Sequence, residues 1–310
     1  MATLGIIHNP FAKGNLKRPR IGDKIRQAVE KVGFVRETRN VDELPEVARE
    51  FKEQGVDIMA VNGGDGTLHM ALSAFIPVYG SDPLPKIMSL RGGTMNTMSN
   101  SLKIKGRTLS ITKRAVKRLE AGEPFTEREQ HLLKINDKYG FMSGAGIIAN
   151  FLDVYYSGTG TGPWQAAKLI SRAIAGLPVR SKFIKHLFRS APLRVFAEGK
   201  KLDPEEYTIV LACTIRELGL GFTPTPRAYD RQDCFHLLVG TIRPHQVVVR
   251  LPQIWLGRDI AHHNLHFNSP VREAIVEPRE RIRWMIDGEM YDSEEPLHYS
   301  VGPTVTVVTP

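Results

Sequence analysis

Cysteine is nearly absent: the 310-residue chain has two, Cys213 and Cys234. Two thiols exclude a disulfide framework and a four-cysteine zinc site, and both are expected to be reduced packing residues among apolar neighbours. Long apolar runs are missing too, and none approaches the roughly 20 residues needed to span a bilayer. The first ten residues show no basic start followed by an apolar stretch, so the sequence reads as cytoplasmic without a signal peptide. Glycine and proline, 27 and 20 residues, show no repeat or bias. Collagen-like, low-complexity and wholly disordered chains are thereby excluded. The length suggests two domains, each large enough for its own core.

Acid is the scarcer charge, with 33 Asp+Glu against 42 Lys+Arg and a net of +9. A basic surplus points to an anionic partner, whether nucleic acid, membrane surface or phosphorylated ligand, without choosing among them. The surplus is concentrated. Residues 13–26 hold six basic groups against Asp23, while residues 103–118 and 164–194 hold seven each and no acid. The third block (Lys168, Arg172, Arg180, Lys182, Lys185, Arg189, Arg194) is interleaved with Trp164, Leu169, Ile170, Ile174, Leu177, Phe183, Ile184, Leu187 and Phe188. That mixture suits either contact with an anionic membrane or ordinary helix packing. No recognisable nucleic-acid module accompanies the blocks, so nucleic acid is the weakest partner.

The first 125 residues alternate apolar strands (Leu4–His8, Phe34–Thr38, Asp57–Val61, Lys86–Leu90) with helical spacing at Arg20–Val32, Glu43–Gln54, Leu68–Phe75 and Thr108–Ala121. Such alternation implies a parallel sheet with helices on both faces, and ligands at the carboxyl ends of its strands. Asn9, Thr38, Asn62 and Arg91 fall on that rim. After about Gln130 the rhythm changes to short β segments separated by turn residues, implying an antiparallel sandwich. Helical stretches there are few, chiefly Gln165–Ala175 and Pro244–Leu256. The expected architecture is α/β plus β: a Rossmann-like parallel-sheet nucleotide domain at 1–125 and an antiparallel β-sandwich at 126–310, whose C-terminal tail can return to the first domain.

Asn62-Gly63-Gly64-Asp65-Gly66-Thr67 follows the third strand and leads into a helix. Its glycines permit close backbone approach, and a helix N-terminus offers N–H groups to phosphate. Asp65 beside a phosphate either reaches its magnesium or takes a proton from an attacking hydroxyl. One strand later, Arg91-Gly92-Gly93-Thr94-Met95-Asn96 repeats the design. Thr94 and Asn96 are polar contacts, and Arg91 is a phosphate partner. Near the end, Asp287-Gly288-Glu289 follows a β segment; alone it is an ordinary hairpin turn.

Gly63–Thr67, Gly93-Thr94-Met95-Asn96 and Asp287-Gly288-Glu289, in that order, resemble the diacylglycerol kinase catalytic-domain superfamily, which includes bacterial lipid kinases and sphingosine kinases. The resemblance runs from Asn9-Pro10 to the C-terminus. It implies an ATP site at Asn9, Thr38, Gly63, Gly64, Asp65, Gly66, Thr67, Gly93, Thr94 and Asn96, used with Mg2+. It makes Glu289 the general base, with Asp65 assisting. It also implies a divalent cation on Asp233, flanked by carbonyls of Asp230 and Phe235. The activity implied is transfer of the γ-phosphoryl group of ATP to a lipid hydroxyl, that of diacylglycerol or a related lipid alcohol, a step of phospholipid biosynthesis; the composition of 164–194, read separately, suits a peripheral contact at the inner membrane face. The chain departs from the family pattern at Met70, Thr97, Asn150 and Cys234, thinning its acidic side chains. Those departures motivate a second reading, a non-catalytic nucleotide- or lipid-binding protein. The first motif also occurs in NAD kinases, which gives a third.

Gly144-Ala145-Gly146-Ile147-Ile148-Ala149 fits a dinucleotide pattern, but no acid ends a second strand about 20 residues later. It is expected to be a close-packing turn. His262, His263 and His266 lack metal-ligand spacing with any acid or cysteine.

Overall fold

The computed structural model of the chain describes residues 2–101, 103–158, 162–176, 181–218, 221–261 and 263–310. The chain forms two compact units, Met1–Gln130 with Pro303–Pro310, and His131–Gly302. The crossing from one to the other falls inside the strand Thr126–Ile135.

In the first unit the strands Gly33–Glu37, Leu4–His8, Ile58–Asn62 and Lys86–Ser89 lie side by side in that order, all parallel. The end of the long strand Leu297–Thr309 adds a fifth, with Val307 beside Ile87, also parallel. The helices Ile21–Val29 and Thr108–Ala121 cover one face. Each buries residues spaced four apart, Ile25 with Val29 and Ile111 with Ala115 and Leu119, against Leu4, Ile6, Ile58, Ala60 and Met88. Helices Leu44–Glu53 and Asp65–Tyr79 bury Phe51 and Phe75, which meet edge to face at 5.5 Å and 87°. Phe51 lies directly on Gly5, where any Cβ would come within 2.5 Å of the ring.

In the second unit six antiparallel strands run in the order Leu265–Val271, Phe235–Gly240, Ile209–Cys213, Met142–Gly146, Ile282–Ile286 and Glu289–Ser293. A second set, Ala191–Ala197, Glu273–Pro278 and the start of Leu297–Thr309, pairs antiparallel. Alternate residues of both sets, among them Leu193, Val195, Val210, Ala212, Leu237, Val276, Trp284 and Tyr299, share one core. This is the sandwich expected from the β rhythm.

Strand Leu265–Val271 escapes a propensity reading because it contains Asn268, Ser269 and Pro270. It stands at the sheet edge, where a missing N–H breaks no ladder. The helices Ile147–Ser157 and Lys182–Leu187 likewise lie in a stretch the sequence reads mainly as β.

Phe51 is fully buried between Gly5, Phe34 and Phe75. Phe51→Ala should cost about 3–5 kcal/mol in urea unfolding followed by circular dichroism. A loss under about 1 kcal/mol would contradict this packing.

Candidate active site

The helix after the first glycine loop begins at Asp65, three residues earlier than the apolar spacing suggests, so Asp65, Gly66 and Thr67 form its first turn. Its N-cap is Gly64, with no side chain capping the end. None of Gly63, Gly64, Gly66, Gly92 or Gly93 has positive φ. Gly92 and Gly93 are needed for close approach, not for turning. A Cβ on Gly92 would collide with Asn62 Oδ1 and the Gly63 nitrogen, and one on Gly93 would lie 2.5 Å from Gly64 Cα. A Cβ on Gly14 would strike the carbonyl oxygens of Gly92 and Gly93. Three loops, 9–16, 62–67 and 91–96, therefore touch backbone to backbone.

Polar side chains tie those loops together. Asn9 Nδ2 donates to Thr67 Oγ1 at 3.1 Å, and Asn9 Oδ1 accepts from the Phe11 nitrogen at 2.9 Å. Asn15 is buried and donates to the carbonyls of Asn9 (2.7 Å) and Asn62 (3.0 Å). Asn62 Nδ2 lies 2.8 Å from His8 Nδ1. Burial holds His8 below its ordinary range, so the neutral ring can accept that hydrogen bond. Asn62 Oδ1 is buried against Gly92 with no hydrogen-bond partner among the described residues. Thr38 is buried, its nitrogen donating to the His8 carbonyl at 2.9 Å. Thr94 is half-buried in its loop. Asn96 adopts left-handed φ of 50° and closes its turn by exchanging hydrogen bonds with the Gly93 backbone, both at 3.1 Å.

Asp65 is held rather than presented. Its two oxygens accept from the nitrogens of Thr97 (2.8 Å) and Met98 (3.1 Å), capping the short helix Thr97–Ser101. Burial pushes its carboxyl upward, against those hydrogen bonds, the Thr97 hydroxyl and the Arg91 charge. Threonine at position 97 donates to Asp65 where a second carboxylate would repel it. Arg91, expected to meet phosphate, donates instead to the Ile104 carbonyl at 2.7 Å.

In the second unit Asp287 and Gly288 form the two-residue turn of a hairpin, with φ of 46° and 88° as a type I′ turn requires. Asp287 is buried; its carboxylate accepts from the nitrogens of Phe141 and Met142, and its own nitrogen donates to the Met142 carbonyl at 3.0 Å. Tyr156 Oη donates to the Gly288 carbonyl at 2.8 Å. The turn is thus fixed from both sides, and it presents Glu289, exposed, as the first residue of the outgoing strand. Asn150 spends its amide on the carbonyls of Leu187 and Arg189, which an aspartate could not do.

The donor set around Asp233 does not fit a divalent cation. Arg231 grips both carboxylate oxygens at 3.0 and 2.7 Å, and Arg272 adds a bond at 2.7 Å. Asp230 accepts from Arg227 at 3.1 Å, and Phe235 lies buried in its strand opposite Val271. Among the described residues no three His, Cys, Asp or Glu are grouped to hold a metal. The cation implied on Asp230, Asp233 and Phe235 is replaced here by guanidinium charge. Gly144 and Gly146 sit where Cβ atoms would strike Ile148 and the Thr208 carbonyl, so the dinucleotide-like pattern is a packing turn.

The third basic block divides. Ala166, Leu169, Ile184 and Leu187 are buried, Arg172 lies over the Phe183 ring at 4.7 Å, and Trp164 is 88% exposed beside Lys168. Leu177 and Arg180 lie outside the described residues. No described helix is long and apolar enough to cross a membrane.

Residues 3–123 match the family model of the diacylglycerol kinase catalytic domain. A solved diacylglycerol kinase from Bacillus anthracis str. Sterne is similar at TM-score 0.66 and 15% identity, over 99% of this chain and 97% of that one. A second structure from that organism, provisionally assigned as a diacylglycerol kinase, reaches 0.72 at 16% identity with the same coverages. No curated protein matches the chain. The sequence match is thus confined to the first unit, and over its whole length the chain shares the fold of these two structures.

Two outcomes follow from this geometry. Gly93→Ala should weaken ATP binding by about tenfold or more in calorimetric titration while leaving the circular dichroism unchanged; undiminished affinity would contradict the close-approach account. Arg231 and then Arg272 hold the Asp233 carboxyl well below the usual carboxylate range. A depressed folded value stabilises the fold above the ordinary aspartate range and loses that contribution as pH falls through it. Asp233→Asn should therefore lower Tm at about pH 7, with the difference shrinking toward about pH 3. EDTA should leave the wild-type Tm unchanged, and a fall would restore the metal.

Proposed function

We propose that the protein is an ATP-dependent lipid kinase. The observation that carries this reading is the backbone-lined cradle: three glycine contacts at the uncapped N-terminus of a 15-residue helix, beside exposed Lys13, Lys17, Arg18 and Arg20. Such a place takes phosphate because its N–H groups and dipole attract anions at no side-chain cost. In this reading Asn9, Thr38, Gly63–Thr67, Gly93, Thr94 and Asn96 hold the nucleotide. Magnesium bound with ATP would neutralise charge on the transferring phosphoryl group.

Glu289 takes the proton of the lipid hydroxyl as its oxygen bonds the γ-phosphorus; the bond to the β-phosphate oxygen breaks, and ADP leaves. Asp287 and Tyr156 fix the turn that carries Glu289. Asp65, occupied by two backbone N–H groups, is a positioning residue that holds the second loop against the first. The acceptor is diacylglycerol or a related lipid alcohol. The segment 164–194 is a peripheral membrane contact through Trp164, Lys168 and the exposed Lys182, Lys185 and Arg189.

Purified protein with labelled ATP and a panel of lipid alcohols should yield a phospholipid, read by mass spectrometry. Glu289→Gln should cut turnover by about 100-fold or more with ATP affinity retained. Nucleotide binding without any transfer would favour a binding protein, and conversion of NAD to NADP would favour a soluble nucleotide kinase; either overturns the proposal.

A further inference from the structure

The helix Pro244–Trp255 is a poor fit to a helix that serves only to pack. It buries one residue, Gln246, and that one is polar. His245, Val249, Pro252 and Leu256 recur at spacings of four, three and four, which places them on one stripe of the helix surface. All four are exposed, Val249 at 73% and Leu256 at 65%. At the end of the stripe Trp255 is 52% exposed and stacks on Phe222 at 4.8 Å. An apolar stripe ending in a half-exposed tryptophan has the composition of an interfacial helix, whose indole sits at headgroup level.

Charge selects the occupant. From Cys234 to Arg258 the chain contains no carboxylate. Arg243 and Arg258, both exposed, stand at the two ends of the stripe, and neither forms an ion pair among the described residues. The acid that follows, Asp259, is engaged by the Ile260 nitrogen at 3.0 Å and Asn268 Nδ2 at 2.9 Å. A second copy of this face would be a bad partner. A two-fold pairing of antiparallel helices brings the Arg243 end of one copy to the Arg258 end of the other, where like charges meet. An anionic bilayer satisfies both features at once.

We propose that the helix Pro244–Trp255 docks on anionic membrane, with Val249, Pro252, Leu256 and Trp255 entering the interface and Arg243 and Arg258 meeting headgroups. This surface is separate from segment 164–194. It rests on the lipid-kinase reading only for the reason to approach a bilayer, and its test needs no turnover.

Both native cysteines are buried, so a Val249→Cys protein can be labelled at that position with an environment-sensitive fluorophore. Mixed phosphatidylglycerol–phosphatidylcholine vesicles should blue-shift and brighten the dye, and pure phosphatidylcholine vesicles should not. A dye on Glu53→Cys, exposed in the other unit, should not respond to either. In sedimentation, Val249→Ser with Leu256→Ser should reduce vesicle partitioning about tenfold. Removing Arg243 and Arg258 should reduce it about fivefold each at low salt. The serine pair should lose phosphorylation of vesicle-borne lipid yet keep that of a dispersed short-chain lipid alcohol. A silent dye at position 249 while the protein sediments with anionic vesicles would overturn the proposal and leave segment 164–194 as the contact. A dye shift that needs only high protein concentration, with a doubled mass in solution, would overturn it in favour of self-association. If no lipid is phosphorylated but the dye responds, the kinase reading fails and the docking surface stands.

Discussion

Two backbone loops can touch without a gap only where at least one of them lacks a Cβ at the point of contact. That constraint organises the first unit. Gly93 on Gly64, Gly92 on Asn62 and Gly63, and Gly14 on Gly92 draw the ends of three neighbouring strands into one backbone surface. The rest of the local chemistry follows from it. Asp65 can cap the Thr97–Ser101 helix because the loops are in contact, and Asn15 can reach two carbonyls from different strands. Beside that surface lie a helix N-terminus without a side-chain cap and the exposed Lys13, Lys17, Arg18 and Arg20.

The sequence and the structure agree best where one physical signal dominates. Strands such as Leu4–His8 and helices such as Thr108–Ala121 are written in apolar period, and their boundaries are nearly those of the pattern. The glycine loops stood out in the sequence because glycine clusters at strand ends have few other uses. Their partners were not all legible. Gly14 and Asn15 have no pattern that separates them from a solvent turn, and only the fold reveals that they close the third side of the cradle. Asp65 reads from sequence as a free acid, since nothing in the spacing shows two backbone N–H groups 32 and 33 residues later. The third basic block was half legible: spacing could not separate Leu169 and Leu187, which are core, from Trp164, which is not.

Charge shows the same division. The surplus of +9 is not a single feature. Arg231 and Arg272 spend theirs on Asp233, inside the fold's own bookkeeping, and Arg172 lies over an aromatic ring. Lys13, Lys17, Arg18 and Arg20 stand beside the cradle, while Arg243 and Arg258 bracket an apolar stripe in the other unit. A clamp of two guanidinium groups where a metal was expected also explains how the 230–235 segment is held with few acids nearby. The departures at Thr97 and Asn150 have similar local reasons, because each donates a hydrogen bond that aspartate could not.

The central claim is that the glycine cradle is the phosphate site. The direct measurement is a titration of ATP followed through the backbone amide resonances of the glycines. The account predicts large, saturable shifts at Gly64, Gly66 and Gly93, with the signals of Gly144 and Gly199 in the second unit unmoved. Shifts confined to the second unit, or saturable binding with the cradle amides unmoved, would contradict it.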